Sequence, residues 1–128
     1  ASEEGGVVTN GMSYSGRSGE NANSAILVGI EPEFFPDDDP LSGYRLQRQT
    51  ERLAFENGGK DYTAPAQLAG DFINGVKSVR GGSVRPTCPT GVSFGSIEPV
   101  LPPPVIDGIK KADITYYIDF FFVINILF

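Results

Sequence analysis

The apolar and polar positions of this chain change period several times, and each change predicts an element. Residues 5–10, GGVVTN, set β-branched side chains between glycine and an Asn-Gly pair, which predicts a short strand entering a turn at Asn10 and Gly11. Residues 24–30, SAILVGI, are almost continuously apolar, the pattern of a strand buried on both faces inside a sheet. Between them lies GMSYSGRSGENANSA, residues 11–25, dense in glycine, serine and asparagine. It therefore connects two predicted strands. The next ten residues, EPEFFPDDDP, are interrupted by prolines at 32, 36 and 40 and predict a loop.

Asp39 followed by Pro40 has the form of an N-cap and a first-turn proline, and only Gly43 interrupts the chain until Gly58 and Gly59 supply a stop. One long helix over 40–57 is expected. Leu46, Leu53 and Ala54 share one face of it, while Arg45, Arg48, Gln49, Arg52 and Glu56 populate the other. Pro65 in APAQLAGDFI predicts a second, shorter helix, and the prolines at 102–104 ahead of VIDGIKKAD predict a third. KSVRGGSVRPTCPTGVS, between them, predicts turns with a short edge strand. The fold class expected is α+β: a small mixed or antiparallel sheet carrying the strands near Val7 and Ile26, with one long and two shorter helices packed on it.

Composition narrows the function. With 128 residues, 40% apolar and 20% charged, the chain suits one globular domain with a modest core. A net charge of -6 argues against nucleic acid as a partner. Histidine is absent, which removes histidine-dependent nucleophilic triads and histidine-ligated metals. A single cysteine, Cys88, allows no intrachain disulfide, and with no leader pattern at the start of the chain a cytoplasmic location is expected. In the C-terminal YYIDFFFVINILF, 11 of 13 residues are apolar or aromatic. As a helix it would extend only about 20 Å against a bilayer core of roughly 30 Å, so no membrane partner is expected. Burial inside the domain or under a second copy of the chain is the expected fate of the tail, which makes homo-oligomerisation a candidate.

The other candidate chemistry is weak. Asp37, Asp38 and Asp39 lack the alternating ligands, glycine and distal glutamate of a calcium loop, so no metal site is expected there. Cys88 has no histidine or second cysteine to activate it. Lys77, Arg80 and Arg85 around Gly81 and Gly82 have the makings of an anion-binding nest, but their spacing matches no phosphate loop. GxGxxG occurs nowhere, so the chain carries no dinucleotide fingerprint of its own.

Three blocks in fixed order, SEEGGVVTNGMSYSGRSGENANSA, QRQTERLAFENGGKDYTAPAQLAGDF and LPPPVIDGIKKAD, resemble the C-terminal half of the bacterial FAD-dependent, or NAD(FAD)-utilising, dehydrogenase family. The resemblance runs from about Ser2 to Asp113 and stops there; ITYYIDFFFVINILF replaces the polar, glycine-containing return expected of the family. It implies that residues 1–113 are an inserted cap or substrate-side domain of an FAD-dependent oxidoreductase, with 114–128 an apolar tail outside the family pattern. The FAD would belong to the parent protein, whose remainder and an unidentified small-molecule substrate would be the partners. The fragment alone would be inactive, and the resemblance fixes neither catalytic residues nor the use of NAD(P). It further implies that the loop faces the flavin or substrate cavity, with Asn10, Gly11, Ser13, Arg17, Glu20, Asn21 and Asn23 as the site residues. A solvent-exposed hairpin or Ω-loop has the same composition and stays open as an alternative. An interaction module associating through its apolar tail is the alternative for the whole chain.

Overall fold

A computed structural model describes residues 3–9, 11, 14–22, 25–35, 37–83, 85–112 and the backbone of 121–123. The architecture is α+β. A three-stranded sheet is built from β1 (Ala64–Leu68), β2 (Val92–Phe94) and β3 (Phe121–Val123), in the order β2-β1-β3. β1 runs parallel to β2, with Ala64 opposite Val92, and antiparallel to β3, with Leu68 opposite Phe121. The helices are α1 (Ser42–Gly58), α2 (Ala69–Ile73) and α3 (Pro103–Lys111). Among the described residues no helix is long and apolar enough to cross a membrane.

The central strand falls where a helix was expected. Ala64 and Ala66 exchange backbone hydrogen bonds with the β2 side, through Gly91 and Gly95. Pro65, which has no N–H, therefore turns the other way, at a point short of the β3 register, which begins at Ala66. A proline thus sits in a three-stranded sheet without breaking a ladder bond, and the helix of this region is confined to the five residues of α2, ended by Asn74 and Gly75.

The two strands expected near Val7 and Ile26 are not strands in this fold. Val7 is buried and its N–H donates to Glu51 O on α1 at 2.9 Å, which ties the first stretch to a helix. Residues 25–30 form no backbone hydrogen bond with any described residue. Val28 instead packs on α3, where its Cγ1 lies 2.5 Å from the position a Cβ on Gly108 would take.

α1 begins at Ser42 with Leu41 as its cap residue, two positions later than expected. Asp39 still acts at this end, since its Oδ1 accepts from Leu41 N–H at 2.8 Å and its carbonyl from Ser42 N–H. The stop is the one expected: Gly59 adopts φ 110° and Lys60 N–H closes on Phe55 O. The buried residues of α1 are Ser42, Thr50, Ala54 and Gly58, whereas Leu46 and Leu53 are only half-buried. Small side chains on this face let α1 approach β1 closely; a Cβ on Gly58 would collide with the Thr63 carbonyl. The core joins Ala54 and Ala64 to Phe72, Ile97, Val100 and Ile109. Of the apolar tail, 121–123 enter the sheet as β3, and 114–120 and 124–128 lie outside the described residues.

Candidate functional site

Of the residues expected to form the site, Gly11, Arg17, Glu20 and Asn21 are described and all are exposed; Asn10, Ser13 and Asn23 lie outside the described residues. The loop is ordered by its own turn chemistry. Arg17 N–H donates to Tyr14 O at 2.9 Å, closing a turn in which Arg17 itself adopts φ 50°. Gly19 lies under the Tyr14 ring, where a Cβ would come within 3.3 Å of Cδ2. Asn21 Nδ2 donates to Arg85 O at 2.6 Å and ties the loop to the rest of the domain. It brings together two segments 64 positions apart, the serine-rich loop and the arginine-containing stretch after Gly82.

The chain ahead of that second stretch, at 76–78, is held by a buried polar network that sequence reasoning missed. Gln67, in the middle of β1, donates through Nε2 to Val76 O at 2.6 Å and accepts through Oε1 from Ile97 N–H at 2.9 Å. Ser78 Oγ accepts from Leu68 N–H at 2.9 Å and donates to Asp71 Oδ2 at 2.6 Å. Gln67 and Ser78 are both buried. Reading APAQL as a helix hid the network, because only as a strand buried on both faces does β1 cover Gln67 on the face opposite Ala64 and Ala66. The network fixes the chain from Val76 to Ser78 across the carboxyl ends of the parallel pair β1 and β2, where Ser78 N–H also donates to Gly95 O. Lys77 and Arg80 flank this anchor, and Gly82, at φ 59°, packs on Leu68.

Asp37 and Asp39 of the acidic cluster serve local structure. Asp37 Oδ1 accepts from Arg45 Nη2 at 2.7 Å and from Asp39 N–H at 3.0 Å. The Arg45 hydrogen bond, followed by that from the Asp39 backbone, holds the Asp37 carboxyl below the usual carboxylate range and pushes the Arg45 guanidinium up. The Asp61 carboxyl is likewise lowered, by the hydroxyl and N–H of Thr63. Among the described residues no group of three acidic or cysteine side chains is placed to hold a metal ion. Cys88 Sγ lies 3.5 Å from Thr90 Oγ1.

A shallow depression of about 300 Å³ on the outer face of α1 is lined by Arg45, Arg48, Gln49, Arg52, Leu53 and Glu56. It is open to solvent, and two of its cations are already committed: Arg45 to Asp37, and Arg48 to Glu3 through an Nε to Oε2 approach of 2.9 Å not aligned as a hydrogen bond. Such a surface does not fit an FAD molecule, which needs an enclosed slot and a glycine-lined diphosphate cradle.

Comparison with known proteins bears on most of the chain. A family model described as FAD-dependent protein, C-terminal domain-like, matches residues 1–117. A protein of Clostridium beijerinckii, described as an uncharacterized protein, is 44% identical over 116 residues. The alignment takes in 91% of this chain and 22% of that relative, so the chain spans about a fifth of the relative's length.

Proposed function

The chain belongs to the FAD-dependent protein, C-terminal domain-like family, and on that premise we propose that it serves as a non-autonomous, cap or substrate-side domain of an FAD-dependent dehydrogenase, with residues 1–113 as the working unit. The flavin, held by other parts of the parent protein, would carry the electron chemistry. This chain's part is to cover the cavity and exclude water. The observation that carries the reading is the family match, which spans the whole candidate loop. The geometry supports it in one respect: the loop is ordered by the Tyr14–Arg17 turn and the Asn21–Arg85 bond, yet its described side chains face solvent. An exposed loop that is nevertheless fixed is suited to being covered by a larger body. Arg17, Glu20 and Asn21, with Asn10, Gly11, Ser13 and Asn23, are the residues proposed to meet flavin or substrate.

The experiment uses the full-length Clostridium beijerinckii relative. Alanines at the positions aligned with Arg17 and Asn21 are expected to make the bound flavin more accessible to iodide quenching while leaving the melting temperature within a few degrees. Unchanged quenching, in those variants and in one with the loop shortened, would show that the loop lies away from the flavin and return it to the surface-loop reading.

A further inference from the structure

Residues 25–30, AILVGI, have the composition of a buried strand and the surroundings of an unpaired one. None of the six is proline, so the segment offers six N–H and six C=O groups, and none bonds to a described residue. One side is already seated: Val28 fits against Gly108 of α3 and Ile30 is half-buried. The other side is open. Leu27 is 81% exposed, and a Cβ on Gly29 would meet nothing within 4 Å. An exposed leucine favours burial, and an unpaired apolar strand edge invites aggregation, so natural proteins cover such edges.

We propose that residues 25–30 become a β-strand in the whole protein by pairing with a strand supplied by the remainder of the parent polypeptide. This rests on the reading of the chain as one domain of a longer FAD-dependent protein. Six residues is an ordinary strand length, and the prolines at 32 and 36 end the segment on its C-terminal side. The occupant is the parent chain and not a second copy because a relative 44% identical carries about four-fifths of its length outside the matched region. A strand tethered within the same polypeptide competes at a high effective concentration against any partner in solution. The pairing would also place the loop 14–22, which enters this segment, at the junction between the domain and the rest of the protein.

Hydrogen exchange tests this directly. In the chain by itself the amides of 26–30 are expected to exchange at nearly unprotected rates, and in the full-length Clostridium beijerinckii relative the aligned amides are expected to slow by on the order of a hundredfold or more. Leu27→Lys is expected to leave the thermal midpoint of the chain unchanged, and the equivalent substitution to lower that of the full-length protein. Fast exchange in both proteins overturns the proposal, as does protection already present in the chain at all concentrations, which would mean an internal partner. Protection that grows with chain concentration would mean a second copy and overturns it equally. The exchange measurement does not involve the flavin. Protection without any effect of the loop on iodide quenching would therefore retain this inference and sink the cavity reading, and the reverse result would do the opposite.

Discussion

At the scale of single residues, the contact between Val28 and Gly108 gives a test with two opposed terms. Gly108→Ala gains up to about 1 kcal/mol of helix propensity in α3. The new Cβ, however, would lie 2.5 Å from Val28 Cγ1 and 2.9 Å from Cγ2, and a β-branched neighbour has little χ1 freedom with which to yield. Overpacking of this kind costs about 1–3 kcal/mol, so the single variant should be less stable in urea, and Val28→Ala in the same chain should restore it. A Gly108→Ala chain more stable than the parent would mean that Val28 is not seated there. Asp37 gives the second residue-scale test. Its folded-state carboxyl is lowered, chiefly by Arg45, so its contribution is present above the ordinary aspartate value of about 3.9 and is lost as pH falls through the lower folded value. Asp37→Asn should flatten the acid limb of a stability-against-pH curve below about pH 4 and leave its neutral-to-alkaline part unchanged in shape. An identical acid limb in both proteins would show that the Arg45 pair forms no differently in the folded and unfolded chain.

At the scale of elements, the centre of the fold is β1, and its security depends on side chains that reach from it into neighbouring loops. Ser78→Ala would strip the Leu68 N–H of its acceptor and Asp71 of its donor in a buried setting. Leaving one buried group unsatisfied costs about 1–3 kcal/mol, so the urea midpoint should fall, and Ser83→Ala on the exposed part of the same loop should leave it in place. Equal midpoints for the two variants would mean that water replaces the Ser78 hydroxyl without loss. How the elements could be foreseen differs from case to case. α3 and the end of α1 were legible because proline at a first turn and paired glycines at a last turn act within a few residues of themselves. β1 was not, because Pro65 is as acceptable at a helix start as at a strand position whose N–H side is unpaired, and only β2 and β3 distinguish the two.

At the scale of the whole molecule, the sequence carries no GxGxxG diphosphate fingerprint, so the chain alone should bind FAD more weakly than about 1 μM, an affinity that already requires about 8 kcal/mol of assembled contacts. Flavin fluorescence titration measures this, and a sub-micromolar dissociation constant would contradict it. Membership of an FAD-dependent family was legible in the amino-acid sequence alone, because several blocks of side chains in fixed order specify ancestry independently of how they pack. That residues 14–22 form a loop was also legible, since glycine, serine and asparagine favour irregular backbone, but the turn itself closes between Tyr14 and Arg17, with Arg17 at φ 50°. Two things required the tertiary structure. One was the choice between strand and helix at 64–68, which is a matter of the neighbours a backbone finds. The other was the fate of residues 25–30: their sequence determines that they prefer burial and a paired backbone, but only the packed domain shows which side is satisfied, by Gly108, and which side it leaves open. Periodicity and propensity are properties of a short segment by itself, whereas a hydrogen-bonding partner is a property of the whole assembled chain.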